Sequence, residues 1–148
     1  MIEHGKKSDA AEVSAKLGAV VSGTCLTAVE RTGVSWLFSF GSAWEVRTDC
    51  WRLIAGGGIA ASGDDDGHLF GLSEPFDAAE RVKLALSGQV SHLEVSGETA
   101  DLKIYFGDDR LELLNTSSGY ESWMLTVHLA GHRGWLVALG GGGVAGTI

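Results

Sequence analysis

The stretch WLFSFGSAWEV, Trp36 to Val46, alternates apolar and polar residues on both sides of a short break, and that period of two predicts strands. Trp36, Phe38 and Phe40 share one face, with Ser35, Leu37 and Ser39 on the other. After GSA, Trp44, Val46 and Thr48 alternate with Glu45, Arg47 and Asp49, so a three-residue loop closes a hairpin.

The same pattern recurs in LKIYFGDDRLEL, Leu102 to Leu113. Phe40-Gly41 matches Phe106-Gly107, and Trp36 and Phe38 match Leu102 and Ile104. After a one-residue insertion, Trp44 and Val46 match Leu111 and Leu113. DCWRL ends the first unit and ESWML the second, each an acid, any residue, Trp, any residue, Leu, which is the mark of an internal duplication. Recurrence favours a structural role for Asp49 beside Trp51 and Glu121 beside Trp123, as rim acids that accept backbone N–H groups or pair with Arg47 or Arg52.

Around these units, SDAAEVSAKLG from Ser8 to Gly18 predicts a short helix with an N-cap and a closing glycine. AGGGIAASGDDDG reads as a turn-rich insert, and HLFGLS after it as a short strand. SEPFDAAERVKLALSG is the main helix, opened by Pro75, with Asp77 and Glu80 near its positive end and Gly88 at its stop. Phe76, Ala79, Val82, Lys83 and Leu86 follow helical spacing, a stripe fit to lie on a sheet. QVSHLEV, YESWMLTVHLAG and GWLVALGGGGVAGTI supply further strands, the last two joined around GHRG.

The fold expected is therefore α+β, a twisted antiparallel sheet of two related hairpin units with one main helix packed on it. It forms a single domain over 1–148: an N-terminal segment 1–18, a first hairpin unit 19–61, an insert 62–74, a helix 75–88, and a second unit with C-terminal strands 89–148. From Val20 to about Leu139 the chain resembles a family of small uncharacterised bacterial domains. The motifs carrying the resemblance are FSFGSAWEV, CWRLI, LALSGQV, IYFGDDRLEL and a Tyr-Glu-Ser-Trp in YESWML; the GSA and GDD turns, where Asp-Gly is the simpler form, and the glycine-rich end depart from it. No activity comes with the family. Some such small acidic proteins look like immunity or accessory proteins of toxin systems, which is an analogy at the level of fold.

Composition excludes several classes. The formal charge of -8, with no cluster of Lys or Arg, speaks against nucleic acid and for a basic partner. No apolar run nears the roughly 18 residues a spanning helix needs, so no membrane role is expected. The start carries Lys6 and Lys7 without an apolar segment, so a cytoplasmic location is expected. Cys25 and Cys50 are too few for a disulfide framework and read as reduced, partly buried thiols.

No catalytic constellation, cofactor or metal is implied. Asp64, Asp65, Asp66 and His68 lack the spacing of a calcium loop, His128 and His132 flank a hairpin, and His92 with Glu94 has no third ligand. There is no G-x-S-x-G turn, and only Arg52 stands near a thiol. Of the five tryptophans, Trp36, Trp44, Trp51 and Trp123 belong to the repeated core pattern, whereas Trp135 after GHRG is the candidate interface aromatic.

Two functions follow as expectations. One is a non-enzymatic acidic binding or accessory protein, homodimeric through exposed strand edges or Trp135, acting on a basic protein partner. The other is a small-molecule or hydrolytic site lined by Asp49, Trp51, Glu121 and Trp123, with two carboxylates facing each other across an aromatic cleft.

Overall fold

A computed structural model describes residues 9–129 and 132–147 of the chain, without the side chains of Leu129 and His132. The first hairpin forms as the alternation predicts. β2, Ser35–Phe40, and β3, Trp44–Thr48, pair antiparallel with Phe40 opposite Trp44, Phe38 opposite Val46 and Trp36 opposite Thr48. The second hairpin joins β7, Leu102–Phe106, to β8, Asp109–Leu113. It closes with two residues, Gly107 and Asp108, rather than the GDD loop, because Phe106 pairs directly with Asp109 and Gly107 takes φ 74°. The units therefore correspond two residues away from the expected register: Val46, not Trp44, is the counterpart of Leu111.

The fold is α+β, but the strands form two antiparallel sheets instead of one. β1, Ala28–Thr32, β9, Met124–Leu129, β10, His132–Ala138, and β11, Val144–Thr147, complete a six-stranded sheet in the order β1-β2-β3-β9-β10-β11. β4, Trp51–Ala55, β5, Gly58–Ser62, and β6, His92–Val95, complete a five-stranded sheet in the order β5-β4-β8-β7-β6. Their inner faces pack on each other. Trp51 meets Phe38 and Trp36 edge-on at ring distances of 5.3 and 5.1 Å, and Phe40 stacks on Trp44 at 3.8 Å. Alternation marks which residues of a strand face inward, but not which sheet the strand joins, and that is why a single sheet was expected.

The two sheets exchange strands reciprocally. β4 follows β3 yet crosses to pair with β8, and β9 follows β8 yet crosses to pair with β3. Leu53 lies opposite Leu111 and Leu125 opposite Val46, so DCWRL and ESWML occupy equivalent places in opposite sheets. The sheets thus share one order, β1-β2-β3 meeting β9-β10 and β6-β7-β8 meeting β4-β5, with β11 added to one of them.

Two helices flank this arrangement, where one was expected to dominate. α1, Ala10–Val21, passes Gly18 and is the longer; Val13, Leu17 and Val21, each four residues on, are buried against the core beside β6. Ser8 lies outside the described residues, and the cap is Asp9, whose carboxylate accepts the Glu12 N–H. α2, Ala78–Ala85, starts three residues after Pro75 with Asp77 as its cap. Phe76 cannot be helical because its N–H donates to the His68 carbonyl and its own carbonyl accepts from Gly67. HLFGLS is accordingly not a strand but the tip of this loop, and part of the expected insert is β5.

Candidate functional site

Each sequence-predicted site residue has a clear place. Trp51 and Trp123 are 2 % and 0 % exposed, so they fill the space between the sheets and wall no open cleft. The Trp123 indole N–H donates to the Ala100 carbonyl at 2.8 Å, whereas Trp51 Nε1 finds no hydrogen-bond partner among the described residues. Asp49 is an exposed rim acid, but it accepts the Ser35 hydroxyl at 2.6 Å rather than pairing with Arg47 or Arg52. Glu121 is exposed on the outside of the six-stranded sheet, along a depression of about 450 Å³ that it lines with Met124, Thr126, Arg133, Trp135 and Val137. The geometry brings Glu121 together with Trp135, the aromatic singled out as an interface residue.

Strand register explains this face. Ser39, Glu45, Thr126 and Trp135 lie side by side in one row across β2, β3, β9 and β10, and Leu37, Arg47, Met124 and Val137 in the next. A smaller depression between Leu37, Arg47 and Met124 continues the first. Glu45 holds His128 Nε2 at 3.6 Å and Arg133 at 4.0 Å, while Met124 is 43 % exposed.

The equivalent face of the five-stranded sheet differs. There Arg52 stands where Met124 stands and Glu112 where Arg47 stands. Glu112 is 3 % exposed and accepts from Arg52 Nε at 2.6 Å and Arg110 Nε at 2.7 Å. Burial alone would push its carboxyl up, but the hydrogen bonds from Arg110 and Arg52 and their charges outweigh that and hold it below the usual carboxylate range. One half satisfies its outer face with an internal ion triad; the other half puts Met124, Val137 and Trp135 in its place. The signal lay in Met124 of ESWML, where the matching DCWRL has Arg52, a position the repeat leaves open to any residue.

A second exposed feature is the loop 63–77. Its tip shows Leu69, Phe70 and Leu72 at 52 %, 62 % and 64 % exposure, with Phe70 in the left-handed region at φ 47°. Hydrogen bonds Gly67 N–H to Phe76 carbonyl, Phe76 N–H to His68 carbonyl and Leu72 N–H to Leu69 carbonyl shape the loop. Asp66 ties it down through the Ala78 N–H and Arg31, and Asp65 accepts the Ser62 N–H. The acid run therefore braces a turn. The loop carries Asp64, Asp65, Asp66, Glu74 and Asp77 and no Lys or Arg.

Among the described residues no group of His, Cys, Asp and Glu is placed to hold a metal ion. His92 stacks on Tyr105 at 4.1 Å, and the side chain of His132 lies outside the described residues, as does Gly131 of the GHRG turn. Burial pushes the Cys50 thiol up, Asp64 and Asp101 add to this, and Arg52 only partly opposes them. No helix among the described residues is long and apolar enough to cross a membrane. Comparison with protein-family models, curated proteins and solved structures finds no match to the chain.

Proposed function

We propose that the protein is a non-enzymatic acidic binding protein, immunity-like or accessory in role, that docks a basic protein partner on the loop 63–77. The observation that supports this reading is the union of three exposed apolar side chains and five acids, one of them paired with Arg31, in one hydrogen-bonded loop that has no Lys or Arg of its own. An apolar anchor ringed by one sign of charge selects a partner with an apolar pocket and a basic rim, and the net charge of -8 steers that encounter. The acids also disfavour an anionic bilayer as the occupant of the tip.

The test is comparative capture with the wild type and with Phe70→Ser/Leu72→Ser as baits. The expected result is a basic protein retained by the wild type at low salt, released as salt rises, and lost by the variant. Identical captures by both baits would refute the reading.

A second reading, small-molecule binding or hydrolysis in a Trp- and carboxylate-lined cleft, is favoured by the depression beside Glu121 and Trp135. Its volume of about 450 Å³ lies within the roughly 300–1,000 Å³ of small-ligand sites. A ligand screen in which no compound raises the melting temperature of the wild type above that of Trp135→Ala would dismiss it.

A further inference from the structure

We infer that the outer face of the six-stranded sheet is a twofold interface for a second copy of this chain. A chain of net charge -8 repels its copy unless the surfaces that meet are locally neutral. The middle of this face is balanced: Arg47 and Arg133 stand among Glu45 and Glu121, with His128 beside Glu45, while Glu30 lies out on β1 beside Leu37. The acids of loop 63–77 belong to a different part of the chain and leave the face uncommitted.

Mixed charge around an apolar centre is what an isologous contact requires. Under a twofold axis each patch meets itself turned by half a revolution, so the exposed Met124, flanked by Leu37 and Trp135 and set beside the buried Val137, meets its own copy. The rim then sets cations of one copy against acids of the other. A partner of a single charge sign would find half of this rim repulsive. Sheets pack face to face at about 10 Å, so two such faces interdigitate with the chemistry of a core.

The duplication sets the two outer faces apart. On the corresponding face of the five-stranded sheet Arg52, Glu112 and Arg110 satisfy one another at the centre, and the exposed Ile59 stands with Ile54 towards the β5 edge. A twofold contact uses the same patch of both copies and is closed by its symmetry, so it gives a dimer rather than a stack.

Sedimentation velocity across a concentration series tests this. The wild type is expected to be a reversible dimer, with dissociation shifted at least about tenfold to higher concentration by Met124→Asp or Trp135→Ala, the loss typical of an interface anchor. Two charge variants carry the decisive arm. Arg47→Glu/Arg133→Glu and Glu45→Arg/Glu121→Arg, each shown folded by circular dichroism, are each expected to be monomeric alone and to form a heterodimer when mixed.

Phe70→Ser/Leu72→Ser is expected to dimerise like the wild type, which separates this interface from the partner loop. A wild type that stays monomeric throughout overturns the inference and leaves the depression to a small ligand. Dimers indifferent to Met124→Asp and Trp135→Ala, or one-signed faces that pair with themselves, overturn it as well.

Discussion

Replacing Glu112 by Gln keeps the shape of the side chain while removing the charge at the centre of the Arg52–Glu112–Arg110 triad. The carboxylate accepts one short hydrogen bond from each guanidinium, at 2.6 and 2.7 Å, and is almost fully buried. Bonds to charged groups contribute about 1.5–3 kcal/mol each, which sets a gross loss of roughly 3–6 kcal/mol. The arginines are 42 % and 31 % exposed and recover water when the anion is gone, so the net loss is smaller. About 2–3 kcal/mol is expected, or roughly 5–10 °C in melting temperature for a domain of this size.

The pH dependence gives the sharper check. The folded carboxyl titrates below its ordinary value of 4.5, so its contribution is complete above that value and is lost as pH falls through the lower folded value. Urea unfolding of wild type and Glu112→Gln should show a constant gap from neutral pH down to the ordinary carboxylate value, closing below it. A gap under about 0.5 kcal/mol at neutral pH, the range of an ordinary surface change, would refute the reasoning, as would a gap unchanged in acid.

Gly63→Ala should destabilise the protein by roughly 1–3 kcal/mol in chemical unfolding, since a Cβ there would lie 2.9 Å from Trp51 Nε1 and 3.1 Å from Trp36 Nε1 in a filled core. Phe70→Asn should leave stability unchanged or raise it by up to about 1 kcal/mol, because Asn tolerates the left-handed backbone that Phe70 occupies, while partner capture falls. Glu121→Gln should change the unfolding free energy by less than about 0.5 kcal/mol, as an exposed site does, in contrast to Glu112→Gln. Alkylation at neutral pH, followed by mass spectrometry, should label the exposed Cys25 well before Cys50, whose burial disfavours the thiolate.

Local order was legible wherever the chain alternates strongly. Trp36, Phe38, Phe40, Leu102 and Ile104 are all buried, as their period of two requires, and the matched DCWRL and ESWML occupy matched places. Pairing across the molecule was not legible, because neither Leu53 nor Leu125 carries any mark of the hairpin it will join. Weak elements failed for local reasons. In β5 only Ala61 points fully inward, so small residues disguised a strand, and in HLFGLS the apolar residues are exposed rather than alternating into a core. Glu121 was read as a brace because its counterpart Asp49 recurs, yet the two acids have diverged: Asp49 binds Ser35 and Glu121 borders the Trp135 depression. The value of Met124 and Arg47 emerged only when cross-strand rows could be read, since they stand far from each other along the chain.

The reciprocal crossing of β4 and β9 has a consequence for how the molecule is made. When the first half leaves the ribosome, β3 has no neighbour beyond β2 and β4 has no β8, so two open sheet edges wait for a segment still being synthesised. Native order therefore arrives late, through pairings between distant parts of the chain, and folding is slow for that reason. The same crossing means that the chain cut between β5 and α2 would yield two pieces that each lack a hairpin the other possesses. Made separately and mixed, such pieces are interlocking complements, held together by every strand pair that spans the cut.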